Sequence, residues 1–225
     1  MLEKPGHVSW KARTLVRQSR PVNVSAAAQT EFRAHTIFID LGAYDGGSTA
    51  RYVACGGKVA HAFLFEPNAD IVRQHPECLH THVAAAAWNA DGEYPFYLAR
   101  KSQQGSSLLA DKTTGDLDRD GPRQVRCVRL ARWLMSFRNQ PVALKLNIEG
   151  AEYAVLTDMA SYQCPSGKLD ALTIPYAVYL SLHGEKVGKS ATDDDAIRKL
   201  VTARGFARVA SPTFPTFETY LRQGV

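Results

Sequence analysis

The sequence predicts an α/β chain: a doubly wound, mostly parallel sheet with helices on both faces. Three observations carry this. After residue 35, short β-branched or aromatic runs alternate with amphipathic stretches, the trace that strand–helix–strand units leave. The first apolar run, "TIFIDL" (36–41), passes into a glycine turn, "GAYDGG", ahead of a helix-forming stretch. A length of 225 residues with 45 % hydrophobic side chains suits one sizeable domain rather than two.

The elements follow in order. "TIFIDL" reads as a buried strand, and Gly47 to about Cys55 as the first helix. "HAFLFE" (61–66) is a second strand; "NADIVRQH" (68–75) opens a helix with Asn68 as its N-cap after Pro67. "HTHVAAAAW" (80–88) is a third apolar strand. The turn "NADG" and then "EYPFYL" (93–98) predict a hairpin excursion rather than a helix. Residues 99–124 are polar and turn-rich, the pattern of a long mobile loop. "VRCVRLARWLMSF" (125–137) reads as a short strand and an amphipathic helix. "VALKLNI" (142–148) is the next strand, with "AEYAVLTDM" (151–159) helical behind it. "AVYLSL" (177–182), a helix over 193–205, "FARVAS" (206–211) and a closing strand in "TFETYLRQ" complete the alternation. There is no internal repeat and no low-complexity tract.

Net charge is +5 and unevenly placed. Residues 1–35 hold six Lys/Arg against Glu3 and Glu31, a net +4, so the remaining 21 basic and 20 acidic residues nearly cancel. The expected organisation is a basic, helical N-terminal extension over 1–35 and one domain over 36–225. Two readings of the extension stand: an arm that contacts nucleic acid or acidic lipid, or a solvated helix face. No apolar run reaches the roughly 18–20 residues of a membrane span. The N-terminus lacks a signal-peptide apolar core, which predicts a cytoplasmic protein. Cys55, Cys78, Cys127 and Cys164 form no C-x-x-C pair and are expected to be reduced. "HPECLHTH" (His75, Cys78, His80, His82) lacks zinc-ligand spacing, and no metal is expected.

The glycine turn states what kind of ligand it tolerates. In such a sheet, ligands gather beyond the carboxyl ends of the strands, where Gly42 to Gly47 lie. The turn has neither the G-x-G-x-x-G spacing of a pyrophosphate site nor the Gly-Lys-Ser/Thr of a P-loop. It carries Asp40 and Asp45 instead. Two unit charges about 4 Å apart interact by roughly 4 kcal/mol at an effective dielectric near 20, which opposes a phosphate and favours a cation. Glu66, ending the second strand, is placed to accept ribose hydroxyls. A nucleoside with a positive end and no phosphate, S-adenosylmethionine, meets both conditions.

Five segments, "FIDLGAYDGGST", "FLFEPNAD", "AAAAWNADGE", "GSSL" and "ALKLNIEGAEYAVL", resemble the FkbM family of S-adenosylmethionine-dependent methyltransferases across roughly residues 36–185. The resemblance implies a class I methyltransferase (Rossmann-like) fold, with seven strands and one antiparallel edge strand. It implies O-methylation of a small, hydroxylated, often sugar-like substrate, leaving S-adenosylhomocysteine. Carried over by position, Asp40, Gly42, Ala43, Tyr44, Asp45 and Gly46 form the methionine-end pocket, supported by Thr49. Glu66, Pro67 and Asn68 form the ribose and adenine wall, and Ala86, Ala87 and Trp88 flank the adenine. The chain departs from the family at Asn147, where aspartate is usual, and at Ala131, where the family commonly has Leu-Asp.

Methyl transfer is an in-line displacement that positioning largely accelerates, but a hydroxyl acceptor must also lose its proton. His183, at the end of a main strand, is the candidate base, since histidine titrates nearest neutral pH; the bland alternative is a surface histidine. Asn147 and Glu149 are expected to face substrate, and Lys145 and Glu152 to be structural, Glu152 as a first-turn acid. Ser106 and Ser107, in the polar loop, are expected to touch cofactor or substrate, with a solvated hairpin as the alternative. Two competing functions remain: a nucleic-acid methyltransferase that uses the basic segment, and a cofactor-binding protein impaired by Asn147. An aromatic stacking platform among the basic residues is missing, which weakens the first.

Overall fold

The computed structural model describes residues 31–71, 76–163, 167 and 170–224. Nearly all of the basic extension lies outside these residues, as do His75, Cys164 and the far end of the helix expected from Asn68. Among the described residues no helix is long and apolar enough to cross a membrane.

The larger sheet has seven strands: β1 (Thr36–Leu41), β2 (Val59–Phe65), β3 (His80–Val83), β7 (Val142–Leu146), β8 (Pro175–Leu180), β9 (Phe206–Val209) and β10 (Glu218–Arg222). Their order is β3-β2-β1-β7-β8-β10-β9. β1, β2, β3, β7 and β8 pair in parallel. β10 runs antiparallel to both β8 and β9. The sheet is thus the mostly parallel, seven-stranded one expected, but its antiparallel strand sits one place in from the edge. The crossover through the helix Ala191–Thr202 sets β9 down one strand-width from β8, and the returning chain fills the gap.

Alternation along β1 and β7 feeds two cores. Ile37, Ile39, Leu41, Val142, Leu144 and Leu146 belong to one face, Phe38 and Ala143 to the other. All six residues of β1 are buried, as a central parallel strand covered on both faces requires. The helices are α1 (Gly47–Ala54), α2 (Leu130–Leu134), α3 (Glu152–Ser161) and α4 (Ala191–Thr202).

Three expectations change. The apolar run over 80–88 is two strands in two sheets: β3, and β4 (Ala86–Trp88) in a three-stranded sheet with β5 (Gly92–Phe96) and β6 (Arg123–Arg129). The chain breaks at Ala84–Ala85, where the Ala85 N–H donates to the Val83 carbonyl at 2.8 Å. A run of alanines has no large/small alternation to hold one register. Second, β4 and β5 do not form a hairpin with each other, because β6 lies between them, parallel to β4 and antiparallel to β5. Third, the polar stretch after β5 is tied down. Tyr97 and Ser107 exchange both backbone hydrogen bonds, Ala99 bridges to Leu117, and the Asp118 N–H donates to the Leu98 carbonyl. Of the expected helix at Asn68, the described part is a turn in which Asn68 Oδ1 accepts the Asp70 N–H at 3.1 Å.

Candidate active site

The carboxyl ends of β1, β2 and β7 converge on the glycine turn. Gly42 has φ +70°, and a Cβ there would lie 2.0 Å from the Asn147 carbonyl oxygen, so the two strand ends approach as only glycine allows. The Asn147 N–H donates to the Leu41 carbonyl (3.1 Å), and the Gly42 and Ala43 N–H groups both donate to the Phe65 carbonyl (3.1 and 3.0 Å). Tyr44 takes the left-handed conformation (φ +50°), and its N–H donates to Glu66 Oε2 at 3.1 Å. Gly46 (φ +89°) opens α1, and Asp45 Oδ1 accepts the Gly47 N–H at 2.9 Å.

These ends border a cleft. Gly42, Ala43, Tyr44 and Asp45 line one side, with Ser48 beside them. Phe65, Glu66 and Pro67 form the β2 wall, Ala86 and Ala87 the β4 wall. Lys145, Asn147, Ile148, Glu149 and Ala151 come from β7 and the turn after it. Phe96 at the end of β5 and the excursion after it, through Gln103, Gln104, Ser106 and Leu108, close the cleft.

Several residues singled out in the sequence sit behind this surface. Asp40 is fully buried: Thr49 Oγ1 donates to its Oδ2 (2.8 Å), and Lys145 Nζ stands 2.8 Å from its Oδ1. The strand register places Asp40 opposite Lys145, so their side chains share a face. Lys145 Nζ also donates to the Gly42 carbonyl at 2.8 Å. Asp40 and Thr49 therefore brace the turn from beneath, and the Asp40 charge is neutralised inside the protein. Gly46 and Asn68 likewise stay out of the lining; the Asn68 N–H donates to Glu66 Oε1 at 2.8 Å. Trp88 lines a neighbouring groove with Asn89, Thr157 and Lys189, and its ring stands 6.4 Å from that of Tyr94. Asp45, Glu66 and Glu149 are the carboxylates that reach the cleft.

Opposite the glycine turn lies a buried charge cluster. Glu149, in the left-handed conformation (φ +55°), meets Lys112 Nζ (2.8 Å) and Lys186 Nζ (3.3 Å) through Oε2, and His183 Nε2 (3.3 Å) through Oε1. Burial alone would raise its carboxyl, but the Lys112 hydrogen bond and the charges of His183, Lys112 and Lys186 hold it below the usual glutamate range. Glu152, fully buried, accepts from the Ile148 N–H (2.7 Å), the Gly150 N–H (2.8 Å) and His183 Nδ1 (2.9 Å). It stands in the first turn of α3, the place expected of it, and its side chain ties the 148–150 turn to His183. His183 lies one layer behind the cleft, with a carboxylate against each nitrogen.

Of the two serines, Ser106 lines the cleft with its hydroxyl engaged: it donates to the Gln103 carbonyl (2.8 Å) and accepts the Ala99 N–H (3.0 Å). Ser107 lies behind and donates to the Glu149 carbonyl at 2.9 Å. Sequence reasoning missed Lys112, which is 1 % exposed, and the Phe96 and Gln103 contributions to the cleft wall. A lone lysine in a turn-rich polar stretch carries no periodic signal that it will be buried. Of the loose His/Cys stretch, Cys78, His80 and His82 are described; no group of three or more His, Cys, Asp or Glu among the described residues is arranged to hold a metal ion.

Comparison with known families matches residues 40–207 to the Methyltransferase FkbM domain. Comparison with curated proteins and with solved structures finds no match. The matched span takes in every residue that lines the cleft, together with the Glu149 cluster and His183 behind it. The chain belongs to the FkbM methyltransferase family.

Proposed function

We propose that this protein transfers a methyl group from S-adenosylmethionine to a hydroxyl of a small, sugar-like acceptor. The observation that carries the cofactor reading is Glu66. Its carboxylate borders the cleft at the end of the second strand, oriented by the Tyr44 and Asn68 N–H groups, where a ribose diol is accepted. The donor set fits the cofactor's charge. Carboxylates of Asp45 and Glu66 border the cleft; of the other charged groups that reach it, Lys145 is paired with Asp40, and Glu149 with Lys112 and Lys186. A sulfonium and an ammonium are favoured there, and a pyrophosphate is disfavoured.

When bound, the cofactor supplies an electrophilic methyl group. The turn Gly42–Asp45 and Glu66 would hold it, with Ala86 and Ala87 as an apolar wall. Asn147 and Glu149 face the acceptor: the amide would orient the hydroxyl, and the Glu149 carboxylate would take up its proton. A carboxylate held this acidic is a weak base, so holding the reacting atoms in line does most of the work. His183, set between Glu149 and Glu152, positions Glu149 in place of acting as the base itself.

Calorimetric titration with S-adenosylhomocysteine tests the reading. Wild type should bind it, and Glu66→Ala should bind about tenfold more weakly or worse, the equivalent of ~1.4 kcal/mol or more. Preferential binding of NAD or a nucleoside triphosphate, or an unchanged affinity in Glu66→Ala, would overturn it.

A further inference from the structure

We infer that Lys112 is a positioning residue of the active site: with Ser107, it grips Glu149 from one loop, by the carboxylate and by the backbone carbonyl. The inference rests on the reading of Glu149 as the acceptor-facing group.

The loop makes two separate contacts. Ser107 Oγ donates to the Glu149 carbonyl at 2.9 Å while accepting the Leu109 N–H at 3.0 Å. Five residues on, Lys112 Nζ stands 2.8 Å from Glu149 Oε2 and donates to the Gly105 carbonyl. Glu149 needs such a hold, because a non-glycine residue at φ +55° persists only where its surroundings over-determine it. The space around the ammonium is fitted: a Cβ at Gly105 or Gly115 would come within 3.5 or 3.4 Å of Nζ. Lys112 is 1 % exposed, and its ammonium has the ion pair and the hydrogen bond that a buried cation requires. The other charged groups on Glu149 are Lys186, 37 % exposed, and His183, behind which stands Glu152. Lys112 is thus the closest cation and the least screened by solvent. It keeps Glu149 ionised and aimed, and it makes the loop over 97–122 part of the catalytic apparatus.

The test follows the carboxyl group itself, by carbon-13 NMR of labelled glutamate, with Glu149 identified by its loss in Glu149→Gln. In Lys112→Met the Glu149 resonance should titrate at higher pH than in wild type. Lys186→Met should shift it less, and Lys112→Arg should restore most of the wild-type behaviour. An unchanged Glu149 titration in Lys112→Met, with only a lower melting temperature, would mean that the lysine is merely structural. Should that variant fail to fold, nitrogen-15 NMR of the wild-type ammonium decides. A slowly exchanging Lys112 signal, lost in Glu149→Gln, supports the inference, and exchange as fast as that of exposed lysines overturns it. Neither readout involves cofactor binding, so this assignment and the methyl-donor reading fail separately.

Discussion

Gly42 and Gly188 share nearly the same backbone conformation, at φ +70° and +67°, yet their surroundings differ completely. Gly42 faces the Asn147 carbonyl, 2.0 Å from where a Cβ would stand; Gly188 has nothing within 4 Å. Alanine at either position takes on the left-handed penalty of about 1–2 kcal/mol. At Gly42 overpacking adds about 1–3 kcal/mol, since the contact is backbone and has no side-chain end to move aside. Gly42→Ala should therefore lose about 2–5 kcal/mol in urea unfolding, and Gly188→Ala only about 1–2 kcal/mol. Equal losses would show that the approach of β1 to β7 is looser than described. The special backbone at Gly42 was legible as a glycine after a strand. The reason for it, a carbonyl contributed 105 positions later, was not, because nothing local encodes the partner. Tyr44 and Glu149 escaped the sequence for a related reason. Their left-handed conformations are imposed by Glu66, Ser107 and Lys112 from other elements, against their own preference.

The helix expected over 193–205 forms as α4, but it starts two residues earlier, at a signal the sequence carries locally and the reading did not use: Ser190 Oγ accepts the Asp193 N–H (3.3 Å), while Asp193 Oδ2 accepts the Ser190 N–H (2.7 Å), a capping box written within four residues. Ser190→Ala should cost about 1 kcal/mol of stability by chemical denaturation, with Ser190→Gly costing only a few tenths. If the two variants lose equally, the hydroxyl is not what starts the helix. The excursion after β5 was illegible for the converse reason. The sequence reading gave Ser106 and Ser107 to cofactor or substrate and did not single out Lys112, but all three spend hydrogen bonds inside the protein, on Gln103, Glu149 and Gly105. The run over 80–88 misled differently. Apolar content predicted a strand correctly, but alanines gave no hint that one run serves two sheets.

Across the whole molecule, the acidic character predicted for the site survives in altered form. Asp40 and Asp45 were read together as facing the ligand; the fold spends Asp40 on Lys145, between the two central strands, and brings Glu149 into the cleft from β7. Charge pairs of this kind also close the far side of the sheet, and they give the molecule a pH response. Glu218 lies on β10 and receives Arg198 from α4, through Nε to Oε1 (3.0 Å) and Nη2 to Oε1 (2.7 Å), and the Tyr220 hydroxyl at 2.6 Å. Burial would raise the Glu218 carboxyl, but Arg198 and Tyr220, with the Arg208 charge, hold it low. Glu149 is held low in the same sense. A carboxyl whose folded value is depressed contributes stability above its unfolded value and loses it as the pH falls toward the folded value. The unfolded chain takes up these protons first, from about the ordinary glutamate value of 4.5 downward. The urea midpoint should thus fall between about pH 5 and about pH 3. Arg198→Met should be less stable than wild type near neutrality yet lose less on acidification, because the pairing that depresses Glu218 is already gone. A variant that lost as much as wild type over that interval would locate the acid sensitivity somewhere other than the α4–β10 pair.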